Sequence, residues 1–193
     1  MCLIVNIKSV SRATLIAALL LAILLSACGQ EPSQPHATAE PIRVEWVTFT
    51  GEGFELDLPA SFAESGSTEI ALDVSIVTAD GSTNMSVSRV QDPALNSWTL
   101  ELAAEETVAD YATREGWTFL EQVEMAGESF DTIRLSVNVA PSTTGGTEAV
   151  TVFQYLIIDG DTLWALSYGT LESSVAGWVD LFDQSAISFH LVD

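Results

Sequence analysis

The run 150–158, Val-Thr-Val-Phe-Gln-Tyr-Leu-Ile-Ile, constrains the fold more than any other stretch of the chain. Drawn as a strand, it puts Val150, Val152, Leu156 and Ile158 on one face and Phe153, Tyr155 and Ile157 on the other. An antiparallel strand with one wet face alternates apolar with polar residues, so a strand apolar on both faces must lie inside a sheet covered on both sides. Turn chemistry supplies its neighbours. Asp159-Gly160 joins it to the run 162–169, and Asp-Gly between apolar runs is a strong hairpin signal. Ala126-Gly127 separates the runs 117–125 and 129–139, and Gly145-Gly146 stands before residue 148. The second half therefore reads as a four-strand antiparallel meander.

Upstream, Phe54, Leu56 and Leu58 alternate with Glu55 and Asp57, the period of a half-buried strand. The runs 70–78 and 84–90 flank Asp80-Gly81 and read as a second hairpin. Cover for the sheet comes from two segments of helical period. In one, Leu100, Ala104, Val108 and Tyr111 share a face, Thr99 supplies the N-cap and Gly116 the stop. The other is predicted over 173–184, with Val175, Trp178, Val179 and Phe182 inward, followed by a terminal strand over 187–191. Together these predict one α+β domain over residues 44–193, an antiparallel sheet sandwiched by helices.

Particular residues also carry a family likeness. Phe54-Glu55-Leu56-Asp57-Leu58-Pro59 with Phe62, the strand Asn84-Met85-Ser86-Val87, the acidic middle helix, the long meander and the ending Ile187-Ser188-Phe189 resemble the PsbP-like family, small domains related to photosystem accessory subunits. The resemblance spans roughly residues 45–191. It implies an α/β/α sandwich in a non-enzymatic binding or assembly role, and no family binding residue carries over to this chain.

The N-terminus gives an address. Lys8 and Arg12 precede an apolar stretch from Ala13 to Leu25, which ends in Leu25-Ser26-Ala27-Cys28. A spanning helix needs about 20 apolar residues, so this stretch reads as the core of a cleaved signal peptide. Small residues before a cysteine resemble the lipobox of bacterial lipoproteins, and that likeness implies that Cys28 carries a diacylglycerol and becomes the mature N-terminus. Residues 1–27 are then signal peptide, and residues 28–43 a lipidated N-terminus and linker. The linker contains Pro32, Pro35 and Pro41 and almost nothing apolar, so it cannot bury a face. The expected location is the extracytoplasmic face of a bacterial membrane, either the cell membrane or an outer membrane, reached through lipid on Cys28.

Charge narrows the partners. The chain carries 27 carboxylates against 6 lysines and arginines, a formal charge of −21, and loss of the signal segment removes Lys8 and Arg12. The mature chain has no lysine, only Arg43, Arg89, Arg114 and Arg134. Such a surface repels nucleic acid, and none is expected as a partner. With Cys28 acylated and Cys2 removed, no disulfide forms, and stability rests on packing.

No catalytic constellation is legible. His36 falls in the linker, and His190, in the terminal strand, has no nucleophile elbow to serve. The domain lacks the cysteine and histidine spacing of a zinc or haem site, and no cofactor is expected. Asp159-Gly160-Asp161 lacks the further ligands of a calcium loop and suffices as a turn. Trp164 and Trp178 fall in core patterns, whereas Trp46 and Trp98 are expected to be more exposed. Glu101, Glu105, Glu106 and Asp110 on the middle helix form a candidate interaction face for an envelope protein, although early carboxylates also favour the helix dipole and Asp110 can pair with Arg114. Two functions follow from different classes. The first is a membrane-anchored, non-enzymatic interaction or assembly module. The second is a binding protein for a small apolar, lipid or sugar ligand, held between sheet and helix by residues such as Trp178 or Phe182.

Overall fold

The computed structural model describes residues 44–65 and 68–192, with no side-chain description for residues 64 and 65. The signal segment, Cys28 and the linker lie outside the described residues. The chain opens with a hairpin of β1 (Trp46–Gly51) and β2 (Phe54–Pro59), whose turn is made at Gly53 with φ +81°. A short 3-10 segment (Ala60–Ser65) leads to β3 (Glu69–Ile70), which pairs in parallel with β1. Then come β4 (Ile76–Val77), β5 (Thr83–Gln91) and the helix α1 (Leu100–Tyr111). The meander follows as β6 (Trp117–Ala126), β7 (Asp131–Val139), β8 (Val150–Asp159) and β9 (Thr162–Leu171), with a one-turn helix α2 (Pro141–Thr144) between β7 and β8. The helix α3 (Val175–Ser188) and the strand β10 (His190–Leu191) close the chain.

The strands form two sheets. The main sheet has the order β4-β5-β9-β8-β7-β6 and is antiparallel throughout, with β8 and β9 central and β6 at one end. The small sheet has the order β10-β2-β1-β3. The two faces of β8 enter two separate cores, as its double apolar pattern requires. Val152 and Leu156 pack with Leu135, Val137 and Ala165 under Ala103, Ala104 and Tyr111 of α1. Phe153, Tyr155 and Ile157 pack on the other face with Phe54, Leu56, Leu58, Phe182 and Phe189.

The predicted pair of helices does cover the two faces of the main sheet, with one unpredicted addition. One face carries α1, while the other carries a mixed layer of α3 and the small sheet. The physical reason is that Phe54, Leu56 and Leu58, all fully buried, give β2 an apolar face of its own, which must be buried against something. The long strand predicted over 70–78 is corrected by the structure. The strand is broken at 71–75, where Asp73 takes φ +60°, so that β3 joins the small sheet and β4 the main one. The terminal strand is also shorter than predicted, because α3 runs on through Ser188. Its hydroxyl donates to the Ser185 carbonyl at 2.7 Å and accepts the Asp57 backbone N–H at 2.8 Å, tying the helix end to β2. Trp46 and Trp98 are each half-buried rather than clearly exposed, Trp98 against the α1 core.

Local chemistry otherwise follows the sequence. Thr99 caps α1 by accepting the Leu102 N–H at 3.2 Å, and Asp110 meets Arg114 at 2.7 Å. The β8–β9 turn needs Gly160 at φ +58°, a left-handed conformation that costs other residues energy. In the β4–β5 turn the Asp80 carboxylate accepts the Thr78 hydroxyl at 2.6 Å and the Ser82 N–H at 3.0 Å. The Thr78 hydroxyl is the main reason that the Asp80 carboxyl sits below its usual range, against a smaller opposing effect of burial.

Two sets of buried polar groups pair across layers and fix how the layers sit. Under α1, the Tyr111 hydroxyl donates to Gln154 at 2.5 Å, and Gln154 donates in turn to Ser167 at 3.2 Å. Under α3, Asp183 accepts both the Arg134 guanidinium, at 2.7 and 2.8 Å, and the Tyr155 hydroxyl, at 2.7 Å. Arg134 also reaches Glu121 at 2.8 Å, so one arginine joins β7, β6 and α3. Burial opposes its charge, but the hydrogen bonds and charge of Asp183 outweigh that and hold the guanidinium above its ordinary range.

Candidate interaction surface

The four acidic residues singled out on α1 are placed unequally. Glu101 and Glu105, one turn apart, are exposed, Glu106 is half-buried, and Asp110 is engaged by Arg114 at the helix end. The Thr99 hydroxyl beside Glu101 lowers its carboxyl from the usual range, which keeps it ionised at the helix N-terminus. Asp110 is thus part of a structural ion pair, and the outer face of α1 is left with Glu101, Glu105 and part of Glu106.

Glu101 also borders a concavity of about 300 Å³. Leu100 and Ile133, which pack on the α1 side of the sheet, contribute apolar wall to it, and Glu101, Glu124 and Asp131 border it as three acidic residues. It lies between the N-terminus of α1 and the β6–β7 hairpin, at the downstream end of β6. The sequence pattern gave no reason to join Glu101 with Glu124 and Asp131, because their proximity depends on where α1 crosses the sheet.

β6 itself is the second part of the surface. It is the last strand of the main sheet and pairs with β7 on one side, while no described strand pairs with its other side. Most of its ten residues are exposed. Its register slips between Phe119 and Glu121, so Leu120 occupies a bulge, and two consecutive large apolar residues face water: Phe119 is 39 % and Leu120 53 % exposed. The adjacency of Phe119 and Leu120, followed by the adjacent polar pair Glu121 and Gln122, interrupts the alternation of the run and was the visible signal for such a bulge.

Elsewhere the sites weighed from sequence are taken up by packing. Phe182 is fully buried, stacked on Tyr168 at a centroid distance of 4.7 Å and on Trp178 at 5.5 Å, so protein side chains fill the space between α3 and the sheet. His190 lies in the edge strand of the small sheet, 3.4 Å from Glu55, with Nδ1 3.0 Å from the Ser188 carbonyl rather than its hydroxyl. The Ser188 hydroxyl is committed to the backbone of Ser185 and Asp57. Asp161 accepts from Gln91 at 3.3 Å, consistent with a hairpin role. Among the described residues, no three histidines, cysteines or acids converge as a metal-ligand set, and no helix is long and apolar enough to cross a membrane.

No protein-family model matches the chain, and no curated protein matches it at a significant level. Solved structures do share its fold. The cyanobacterial PsbP (CyanoP) from Synechocystis sp. PCC 6803 superposes with a TM-score of 0.52 at 15 % identity, over 82 % of this chain and 98 % of that one. LpqN, involved in cell envelope biogenesis of Mycobacterium tuberculosis, superposes with a TM-score of 0.50 at 11 % identity, over 79 % and 93 % of the two chains. At these identities the likeness is one of fold: the chain has a PsbP-like α+β fold.

Proposed function

We propose that this protein is a lipid-anchored, non-enzymatic interaction or assembly module on the extracytoplasmic face of a bacterial membrane. The observation that carries the reading is that both faces of the central strands β8 and β9 are closed by packed side chains, which leaves the domain its outer surface to work with. The most extended part of that surface is the open edge of β6. The envelope-biogenesis role named for LpqN, a protein of the same fold, supports an envelope setting.

The anchor rests on the sequence Leu25-Ser26-Ala27-Cys28. Diacylation at Cys28 contributes about 0.8 kcal/mol for each methylene buried, and two or more chains give stable attachment. Residues 28–43 then join the lipid to the domain. The filled space around Phe182 and Trp178 weighs against a small ligand held between α3 and the sheet.

The test is crosslinking in cells, comparing the native chain with Cys28→Ala, with captured proteins identified by mass spectrometry. Recovery of one envelope protein by the native chain and its loss from Cys28→Ala support the reading. Recovery of no specific protein by either chain refutes it.

A further inference from the structure

We propose that the open edge of β6 accepts an extended, basic polypeptide segment of another protein as an additional strand of the main sheet. The inference rests on the interaction-module reading and names its docking surface and the chemistry of its partner.

An exposed edge strand is a template for pairing, which is why natural edges are short, covered or charged. This one spans ten residues, Trp117–Ala126, and carries Phe119 and Leu120, two of the exposed large apolar side chains of the domain. Strand addition draws affinity from main-chain hydrogen bonds and specificity from side-chain sites along the edge. Here those sites are the Phe119–Leu120 pair at the bulge and, further along, the concavity bordered by Glu101, Glu124 and Asp131.

Charge selects the occupant. Glu121 and Glu124 lie exposed along the strand, Glu115 stands just before it, and Glu128 and Asp131 follow it. The arginines among the described residues are each engaged by acids of the same chain: Arg89 by Glu52, Arg114 by Asp110, and Arg134 by Glu121 and Asp183. A second copy pairing edge to edge would set carboxylates against carboxylates, and like charges directly opposite destabilise a strand pair. A strand bearing lysine or arginine meets opposite charges instead. The concavity suits such a side chain, because Leu100 and Ile133 offer contact for an aliphatic stem while Glu101, Glu124 and Asp131 border the place where its cationic end would lie.

The test uses the full chain in nonionic detergent, titrated with two synthetic peptides matched to β6 in length. One alternates lysine with valine and the other glutamate with valine. The lysine peptide is expected to bind, to slow amide exchange in β6, and to weaken as salt rises. Leu120→Asp and Glu124→Lys, both at exposed positions, are each expected to raise its Kd by about tenfold or more, equivalent to ~1.4 kcal/mol. The glutamate peptide is expected not to bind. Absence of lysine-peptide binding overturns the proposal, as does binding that leaves β6 exchange unchanged or is insensitive to both substitutions. Protection of β6 by self-association without peptide also overturns it, making a second copy the occupant. A photo-reactive residue in cells, replacing Leu120 or Glu105, separates the two readings. Capture of an envelope protein from position 105 but not 120 refutes strand addition and leaves the module reading standing, whereas capture from neither refutes the module.

Discussion

Raising pH should unfold this domain in a single step that reports all of its tyrosines at once. The chain has three, Tyr111, Tyr155 and Tyr168, each 1 % exposed or less. Their hydroxyls are held by Gln154, Asp183 and Ser185 at 2.5, 2.7 and 2.8 Å. Burial raises all three well above the ordinary tyrosine range, and the Asp183 carboxylate raises Tyr155 further. An unfolded tyrosine releases its proton near pH 10, so above that pH the unfolded chain binds fewer protons than the folded one and stability falls as pH rises. Below about pH 10 the full stability is present. Each tyrosine then removes about 1.4 kcal/mol per pH unit, and the three together ~4 kcal/mol per unit. A domain stable by roughly 10 kcal/mol should unfold two to three units higher, at about pH 12 to 13. Residues 28–193 with Cys28→Ala contain neither lysine nor cysteine, so no amine side chain or thiol titrates near pH 10 beside the tyrosines. The assay is phenolate absorbance measured alongside far-ultraviolet circular dichroism. Both signals should change together, with three tyrosines appearing in one transition. A tyrosine that titrates near pH 10 while the dichroism stays native would refute the packing described for it.

Three further perturbations test the framework by chemical denaturation. Asp183→Ala leaves the buried Arg134 with Glu121 as its one acidic partner and takes the acceptor from the Tyr155 hydroxyl, and should cost about 3 kcal/mol, whereas Arg134→Met combined with Asp183→Leu should recover part of that loss; a double variant no better than the single would argue that the under-compensated charge is not what makes the loss large. Phe182→Ala opens a cavity between Tyr168 and Trp178 and should cost about 3 to 5 kcal/mol, so a loss below ~1 kcal/mol would mean that α3 packs otherwise. Thr99→Ala removes the cap that accepts the Leu102 N–H and should cost about 1 kcal/mol, with Thr99→Asp restoring it.

The legible parts of the fold were those encoded within a few residues. The double apolar pattern of β8, the Asp159-Gly160 turn and the Thr99 cap each state their structure locally, and α1 begins and ends where its period says. What depended on pairing between distant segments was not legible. The sequence shows that β2 has an apolar face but not that it starts a second sheet, since that choice is made by Phe54 and Leu56 meeting Trp164 and Phe189 across the fold. Likewise a run 70–78 reads as one strand until its halves find different sheets, and α3 outlasts its predicted end because Ser188 finds Asp57. The candidate surface divides the same way. Glu101 and Glu105 were visible from helical spacing, but Phe119, Leu120 and Glu124 became candidates only once strand order put β6 at the edge.

The most direct measurement is quantitative recovery of crosslinked partner from cells expressing the native chain, Cys28→Ala or Leu120→Asp at equal levels. The account predicts one envelope protein captured by the native chain, its crosslinks falling on β6 through a basic segment, with recovery lost from both variants. Equal recovery from all three chains would contradict both the anchor and the edge as the basis of function.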